Sequence, residues 1–586
     1  MHATSDGGNS WQIISPDLTR NDKTRMQISG GLTPDNIGVE YAGVVFAIAE
    51  SPKEAGLIWA GTNDGLVQIT RDGGKNWTNV TRNIPNLPEW GTVSNIEASR
   101  YDAGTAYITV DFHQMNNRDP FVYKTADYGK TWTQITNGIP HTMLSYAHCV
   151  REDPVRRGLL YLGTENALYV SFDDGKNWQP LQTNLPHAPV YWIAVQERFH
   201  DLALATYGRG FWILDDLTPL QQLTPEVQAA GAHLFTPRDA YRFRNAAQPA
   251  SVTYDPTAGQ NPPYGASINF YLKSKPGERE RVQLTISDAG GTVMRRFNCT
   301  AEGAEPAGGA GAGGRRGGGG GGAGGPGGGE AGGPPCVVRA GINRVWWDLR
   351  TDPSAQVRLR TSPLFAPEVT LAPEGWRAAP GIGRISLLVP PGTYTVKLSA
   401  AGQESSQKLN VIKDPRSSGS EADIATQTRL LASLREEMNT LAESVNQVES
   451  VRAQLASLER ELGNDDNARA IRTASQGVAG KLVDAEGGVL QLKATGRGQD
   501  DVRWAPMLLQ KITYLASQVG GSDFPPTTQQ VAVAEELKQQ GEKCQAQLQQ
   551  VLSQDLAQFN AMLREKNVPN IIVTQPRGRV AAAGGQ

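Results

Sequence analysis

A carboxylate and an imidazole stand one residue apart in this chain, at Asp111 and His113. On an extended backbone, side chains at i and i+2 point to the same face, so the pair could act together in general acid–base chemistry. The alternative is a loop pair whose members only satisfy each other's hydrogen bonds. The residue types and their spacing leave both interpretations open.

Other side chains could line a ligand-binding cleft near this pair. Glu97 supplies another carboxylate, and the aromatic pairs Tyr191-Trp192 and Phe211-Trp212 could stack on a sugar or pack in the core. A glycosidase needs two carboxylates about 5–10 Å apart, and no pair with separate acid and base roles is evident. No serine or cysteine nucleophile signature is present either. The remaining candidates for ligand contacts are Tyr146, His148, Tyr207 and Arg209.

The element that must position these residues is a repeated motif, Ser/Thr-x-Asp-x-Gly-x-x-Trp, which occurs four times before residue 179. A short carboxylate that accepts bonds from nearby backbone N–H groups closes a turn, and the glycine supplies a positive φ. Turn formation therefore explains the aspartates better than catalysis or metal binding does. Each tryptophan follows the turn and is expected to pack as a large apolar side chain. The motif residues are Asp6 and Trp11, Asp72 and Trp77, Asp127 and Trp132, and Asp173 and Trp178.

Short runs of apolar and β-branched residues lie between the motifs, as in strands. Successive motif tryptophans are 66, 55 and 46 residues apart, which fits four-stranded blades of a β-propeller with loops of variable length. Residues 1–218 are therefore predicted to form about three to four blades. Because the first motif begins at Thr4, the strands that should precede it in its blade are missing from the chain as given.

This part of the chain resembles the bacterial BNR-repeat (Asp-box) proteins, which are labelled glycosyl hydrolase or sortilin-type propeller proteins. The resemblance rests on the four motifs, on Tyr123–Trp132, and on the Thr-Tyr-Gly-Arg-Gly-Phe-Trp-Ile-Leu-Asp-Asp run at 206–216. It implies a periplasmic or extracellular location and a carbohydrate or protein ligand. It also implies that this chain is the C-terminal portion of a longer protein, or that another polypeptide supplies the missing blades.

Two further domains are predicted. Alternating strands over 219–415, among them Arg384–Val389 and Gly392–Ala400, indicate an immunoglobulin-like β-sandwich. A glycine-rich insert at 301–335, which is expected to be disordered, interrupts it. Apolar residues recur every seven positions at Leu434, Leu441, Val448, Leu455 and Leu462 and indicate a coiled-coil-like helix. Arg452 breaks the companion series formed by Leu431, Met438 and Val445. A helical bundle or helical hairpin is predicted over 416–568, with one of its helices over Val502–Val519, and a flexible tail is predicted over 569–586.

Composition narrows the choice of partners and compartment. With 56 basic and 59 acidic residues, the net charge of −3 argues against nucleic acid as the main partner. No apolar run reaches the length of a membrane span, the first residues do not read as a signal peptide, and no cofactor or zinc motif is evident. Cys299 and Cys336 flank the glycine-rich insert, either as a disulfide, which suits an exported protein, or as two buried thiols.

Two functions follow from these observations. The favoured one is a non-catalytic, exported propeller scaffold that binds a polysaccharide or a polypeptide, with the sandwich and the helices as supports. The alternative is a glycoside hydrolase of the sialidase or xyloglucanase type, with part of its active site on blades outside this chain. The first is favoured because the sequence presents no carboxylate pair with a plausible acid–base division.

Overall fold

The computed structural model describes residues 1–27, 42–244, 259–277, 280–303 and 336–573. It divides into two compact units, Met1–Thr224 and Pro225–Gln586. The first unit is a partial β-propeller, and the second contains packed β-sheets followed by a helical bundle. The glycine-rich insert beyond residue 303 and the tail beyond residue 573 lie outside the described residues.

The first unit contains three complete four-stranded antiparallel sheets in which strand order follows chain order. A two-stranded fragment precedes them, and a three-stranded sheet followed by helix α1 (Thr218–Gln222) ends the unit. The strands are β1 (His2–Ala3), β2 (Gln12–Ile13), β3 (Val45–Glu50), β4 (Ile58–Thr62), β5 (Val67–Thr70), β6 (Thr78–Asn79), β7 (Thr92–Ala98), β8 (Ala106–Asp111), β9 (Phe121–Thr125), β10 (Thr133–Gln134), β11 (Ala147–Glu152), β12 (Leu160–Thr164), β13 (Leu168–Ser171), β14 (Gln179–Pro180), β15 (Val190–Gln196), β16 (Asp201–Thr206) and β17 (Phe211–Leu214).

Successive sheets pack face to face, which is the arrangement of propeller blades. Their first strands β3, β7, β11 and β15 are neighbours and form the inner wall of an arc. Apolar side chains fill each interface between blades, and the Trp59 and Trp132 rings meet edge to face at 5.9 Å. This packing stabilises the arc because each aromatic or aliphatic side chain buried in it contributes about 1.5–3 kcal/mol.

The four motifs form the same turn between the third and fourth strands. In the third copy, Asp127 Oδ1 accepts bonds from the Thr131 N–H at 2.8 Å and from the Thr125 hydroxyl at 2.9 Å. Its Oδ2 accepts the Thr131 hydroxyl at 2.7 Å, while Thr125 Oγ1 accepts the Gly129 N–H at 3.0 Å. Equivalent bonds occur in the other three copies. The motif glycines all have positive φ, from 78° to 95°, which only glycine adopts without strain.

The second unit opens with α2 (Pro225–Ala229) and contains two sheets that share one apolar core. The smaller sheet has the order β18-β20-β24, and the larger has the order β19-β28-β27-β21-β22-β23. A separate hairpin pairs β25 with β26. The strands are β18 (Ala232–Leu234), β19 (Ala240–Arg242), β20 (Ala266–Leu272), β21 (Val282–Ser287), β22 (Val293–Ala301), β23 (Val337–Val338), β24 (Gly341–Trp347), β25 (Arg358–Leu359), β26 (Arg377–Ala378), β27 (Gly392–Ala400) and β28 (Gln403–Lys413).

Two details of this β region concern features that the sequence predicts: the cysteine pair and one strand. Cys299 and Cys336 are joined by a disulfide between β22 and the start of β23. The run Arg384–Val389, which the sequence predicts as a strand, joins none of the described sheets: it makes an isolated bridge between Arg350 and Leu388 and separate backbone bonds to residues 349–354. The prediction of a strand there is wrong because this run packs against the helical bundle, where Ile385 and Leu387 join the helical core.

The helical region begins at α3, a helix of 41 residues that Ser420 and Asp423 cap reciprocally. The predicted helix from Val502 to Val519 is interrupted in the structure, because Pro506 cannot continue a helix. A π-helical turn joins the last two helices. The helices are α3 (Glu421–Glu461), α4 (Asp466–Gly487), α5 (Asp500–Arg503), α6 (Leu508–Val519), α7 (Thr528–Gln550) and α8 (Leu556–Glu565).

Arg452, which breaks the companion series of Leu431, Met438 and Val445, is buried in the bundle between two carboxylates. It donates to Glu449 and to Glu486 at 2.5 and 2.7 Å. Burial raises the pKa of Glu486 to about 8. Among the described helices, none is long and apolar enough to cross a bilayer.

Candidate functional site

Each of the four inner strands carries a β-bulge at the same point of its register. The pairing with the second strand skips one residue at Phe46, Ser94, His148 and Tyr191. A bulge leaves the extra residue unpaired and changes the direction in which its side chain points, and bulges are frequent beside functional sites. The inner wall therefore carries a different side chain at one equivalent position of every blade.

Two of these bulge residues, His148 and Tyr191, belong to a continuous row of rings. Ring centroids are 5.1 Å apart for His113 and Tyr146, 5.2 Å for Tyr146 and His148, 4.0 Å for His148 and Tyr191, and 5.7 Å for Tyr191 and Tyr207. Aromatic pairs at such separations attract one another through offset or edge-on contacts. We call these five residues the ring belt.

The topology explains why the ring belt forms. Asp111 ends β8, and Tyr207 follows the end of β16, whereas Tyr146 and Tyr191 lie where the inner strands β11 and β15 begin. In an antiparallel sheet the start of one strand lies beside the end of the next, so all of these residues come to the same end of the arc. The four motif turns follow the third strands and therefore lie at the opposite end.

Two carboxylates hold the histidines of the ring belt in place. Asp111 accepts the His113 N–H at 2.8 Å and contacts His113 Nδ1 at 2.7 Å. Glu165 contacts His148 Nε2 at 2.8 Å. Burial lowers the pKa of His148 despite this carboxylate, and burial together with the bond to Glu165 raises the pKa of the Tyr146 hydroxyl. Burial therefore favours the neutral form of the His148 imidazole.

The ring belt runs from a buried end to an open end. His148 is 5% exposed, whereas Tyr191 is 46% and Tyr207 is 74% exposed. Arg209, two residues beyond Tyr207, is exposed and donates to the Gly208 carbonyl at 3.1 Å. The arrangement offers exposed tyrosine faces and hydroxyls to a ligand, with fixed imidazoles and carboxylates beside them.

The sequence-predicted residues Asp111, His113, Tyr146, His148 and Tyr207 thus come together, and Arg209 lies near the open end. Glu165 was missed. It stands in the turn Thr164-Glu165-Asn166-Ala167, whose counterpart in an earlier blade is Thr62-Asn63-Asp64-Gly65. Asn63 binds backbone N–H groups of its own blade at 2.8 and 2.9 Å. The change from Asn to Glu at one position of a repeat is the signal that could have identified Glu165.

A second feature of the inner wall is a cleft of about 530 Å³ that the inner strands of all four blades line. Arg151 pairs with Glu97 at 2.8 Å and lies 4.2 Å above the Trp192 ring. Glu152 accepts the Ser99 hydroxyl at 2.6 Å. Burial raises the pKa of both Glu97 and Glu152. Sequence reasoning named Glu97 as a cleft candidate but missed its arginine partner.

Metal binding finds no support in the part of the chain that the structure describes, since no group of three or more His, Cys, Asp or Glu side chains there could hold an ion. The ring belt contains two separate carboxylate–histidine pairs, which suit hydrogen bonding rather than shared coordination.

No protein-family model matches the chain, and no curated protein sequence matches it. Among solved structures, it is similar to YCF48 from Cyanidioschyzon merolae, with 19% identity over 29% of this chain and 52% of that chain, at a TM-score of 0.22. It is similar to the GH74 xyloglucanase from Xanthomonas campestris, with 17% identity, 37% and 33% coverage and a TM-score of 0.25. A structure of YCF48 bound to D1 peptide shares 16% identity, with 33% and 64% coverage and a TM-score of 0.21. The chain thus spans less than two thirds of the length of each.

Proposed function

We propose that the partial propeller is a non-catalytic binding module that holds a polysaccharide chain across the ring belt. The observation that carries this proposal is the row of five rings at 4.0–5.7 Å, which opens to solvent at Tyr191 and Tyr207. Tyrosine faces stack on the apolar faces of sugar rings, and their hydroxyls bind sugar hydroxyls. The sandwich, which we propose is immunoglobulin-like, and the helical bundle serve as supports.

Binding requires pre-organised side chains, and the ring belt meets this requirement. Asp111 and Glu165 fix the orientation of the two histidines, and the histidine rings in turn contact Tyr146 and Tyr191. A ligand therefore meets rings whose positions are already set, which lowers the entropic cost of association.

The test is binding of the full chain to arrays of immobilised glycans and of peptides, with release of reducing sugar measured on the same glycans. We expect retention on one class of glycan without release of reducing sugar. Tyr191→Ala should weaken that retention about tenfold, whereas Trp11→Ala, at an exposed tryptophan outside the ring belt, should not. Retention on peptides but not on glycans would mean that the ligand is a polypeptide and not a polysaccharide.

A second candidate function is glycoside hydrolysis, which the cleft on the inner wall favours. Glu97 and Glu152 line it together, and a carboxyl with a raised pKa can donate a proton near neutral pH. If the chain is a hydrolase, reducing sugar should accumulate and Glu97→Gln should abolish the release. A loss of turnover in Asp111→Asn, with Glu97→Gln still active, would move the reaction to the ring belt instead.

We also propose that the protein works in the periplasm or outside the cell. The Cys299–Cys336 disulfide supports this location, because disulfides persist in oxidising compartments. Mass spectrometry of the protein from its native source, alkylated before any reduction, should find both cysteines unlabelled. Complete alkylation of both would contradict an oxidising location.

The last sheet of the arc suggests a further partner. Its third strand, β17, has no fourth strand within the described residues, and Phe211 and Ile213 on it are 85% and 56% exposed. We propose that another polypeptide pairs with this edge, since unpaired edges invite strand addition. Ile213→Lys should make the chain more monodisperse in size-exclusion chromatography with light scattering.

A further inference from the structure

The second unit contains a cavity of about 1180 Å³, larger than the cleft on the inner wall of the propeller. Helices α6 and α7 form one side, and the irregular run from Gly381 to Leu388 forms the other. Most of the predicted strand Arg384–Val389 lies within this run. The run joins none of the described sheets and is held by backbone bonds to residues 349–354.

The walls of this cavity combine apolar surface with an excess of positive charge. Ile385, Leu387, Leu431 and Leu515 contribute aliphatic side chains. Two carboxylates reach the lining, those of Asp501 and Glu536, against four basic side chains. The basic side chains are Arg244, Arg350, Arg384 and Lys511.

The arginines at one end are incompletely neutralised. Arg242 and Arg244 share one carboxylate oxygen of Asp523, at 2.6 and 2.9 Å. Arg242 is fully buried, and its Nη2 has no hydrogen-bond partner. Burial lowers the pKa of Arg244, and the charges of Arg242 and Arg350 lower it further. Buried guanidinium groups normally pair with anions. Here two of them share the one carboxylate of Asp523, and Arg244 also donates to the Gly520 carbonyl and to Gln427.

Two basic groups in the lining have donors available for a ligand. The guanidinium of Arg350 makes one bond, from Nη1 to the Ser386 carbonyl at 2.9 Å, and its other side-chain N–H groups have no partner within the described residues. Lys511 is exposed and makes no ion pair within the described residues. A planar guanidinium with free N–H groups matches the two oxygens of a carboxylate.

We propose that this cavity binds an organic anion with an apolar body, of the alkyl carboxylate class, through Arg350, Arg244 and Lys511. The carboxylate lies against the arginines, and the apolar body lies along Leu387, Leu431 and Leu515. The volume is sufficient, because ligand pockets commonly measure about 300–1,000 Å³. This site is separate from the ring belt and does not depend on the function proposed for it.

The test is isothermal titration calorimetry of the full chain with three probes. Octanoate carries both the charge and the apolar body, octanol lacks the charge, and acetate lacks the apolar body. We expect octanoate to bind at least about tenfold more tightly than either of the others, because both recognition elements are needed. Equal binding of octanoate and octanol, or no detectable binding of octanoate, would overturn the proposal.

Variants locate the site. Arg350→Gln should weaken octanoate binding about tenfold while leaving octanol unchanged. Lys511→Gln, at an exposed position that folding does not need, should weaken it by about threefold. Lys543→Gln, which removes the same charge from α7 outside the cavity, is the control. If Lys543→Gln matches Lys511→Gln and Arg350→Gln has no effect, binding reflects overall charge and the proposal fails.

Discussion

The two ends of the propeller arc differ in how their side chains repeat. At one end, four turns make the same hydrogen bonds in every copy, from Asp6 to Asp173. At the other end, the equivalent bulge position holds Phe46, Ser94, His148 and Tyr191 in successive blades. Repetition marks what every blade needs in order to fold. Variation at an equivalent position marks what one particular surface can use, and two such positions, His148 and Tyr191, belong to the ring belt.

The largest expected effect concerns the repeated end. Trp132 is 6% exposed and packs against Trp59, whereas Trp11 at the same motif position is 61% exposed. Trp132→Ala should lower the free energy of unfolding by about 3–5 kcal/mol, and Trp11→Ala by less than about 1 kcal/mol. Urea denaturation followed by circular dichroism measures both. Similar losses for the two variants would mean that the contribution of a motif tryptophan to stability does not depend on its burial.

A smaller effect at the same end depends on acid. Hydrogen bonds from the Asn76 backbone and side chain lower the pKa of Asp72 from 3.8 to about 2. A carboxyl whose pKa is lower in the folded state stabilises the fold above its unfolded pKa, and this stabilisation is lost as the pH falls from about 4 to about 2. Asp72→Asn should therefore reduce the acid sensitivity of unfolding in that window.

The matched measurement is urea denaturation of the parent chain and of Asp72→Asn at pH 5 and at pH 2.5. The difference in stability between the two proteins should shrink at the lower pH. A difference that stays constant across the window would show that Asp72 contributes nothing through its charge.

The smallest expected effect concerns the ring belt. His148 is buried between Tyr146 and Tyr191, and burial lowers its pKa below 6.5. An unfolded chain then binds a proton that the folded chain does not, so stability falls as the pH drops below about 6.5. The charged or titratable groups near this ring are Glu165, Asp111 and His113.

His148→Gln removes this proton while keeping an amide that can donate to Glu165. Thermal unfolding of this variant should depend less on pH between 6.5 and 5 than that of the parent. His141→Gln is the control, since His141 is exposed and lies outside the ring belt. An unchanged pH dependence in His148→Gln would show that His148 titrates as in the unfolded chain.

Much of the fold follows from local patterns in the sequence. The motif spacing predicts the blades, and the observed strand β27 coincides with the predicted run Gly392–Ala400. The interruption of the helix before α6 was not predicted, although the sequence contains Pro506 there, because the apolar spacing continues on both sides of this proline. The strand predicted at Arg384–Val389 was wrong because an alternating pattern does not reveal whether a run packs on a sheet or on helices.

The site was harder to predict than the fold. The sequence identified all five residues of the ring belt and Asp111 beside it, because each residue type suits ligand binding when considered individually. Their assembly depends on the bulges of β11 and β15, and a bulge cannot be identified from the residue type at its position. Glu165 was missed because its hydrogen-bond partner, the His148 ring, lies 17 positions away in the chain.

The most direct test of the central claim compares the two ends of the arc in one binding experiment. The probe is the immobilised glycan that the parent chain retains, and the variants are Tyr191→Ala with Tyr207→Ala against Asp72→Asn. The account predicts at least about a tenfold loss of affinity in the tyrosine variant, with an unchanged melting temperature, and parent affinity in Asp72→Asn. Parent affinity in the tyrosine variant together with lost affinity in Asp72→Asn would contradict it.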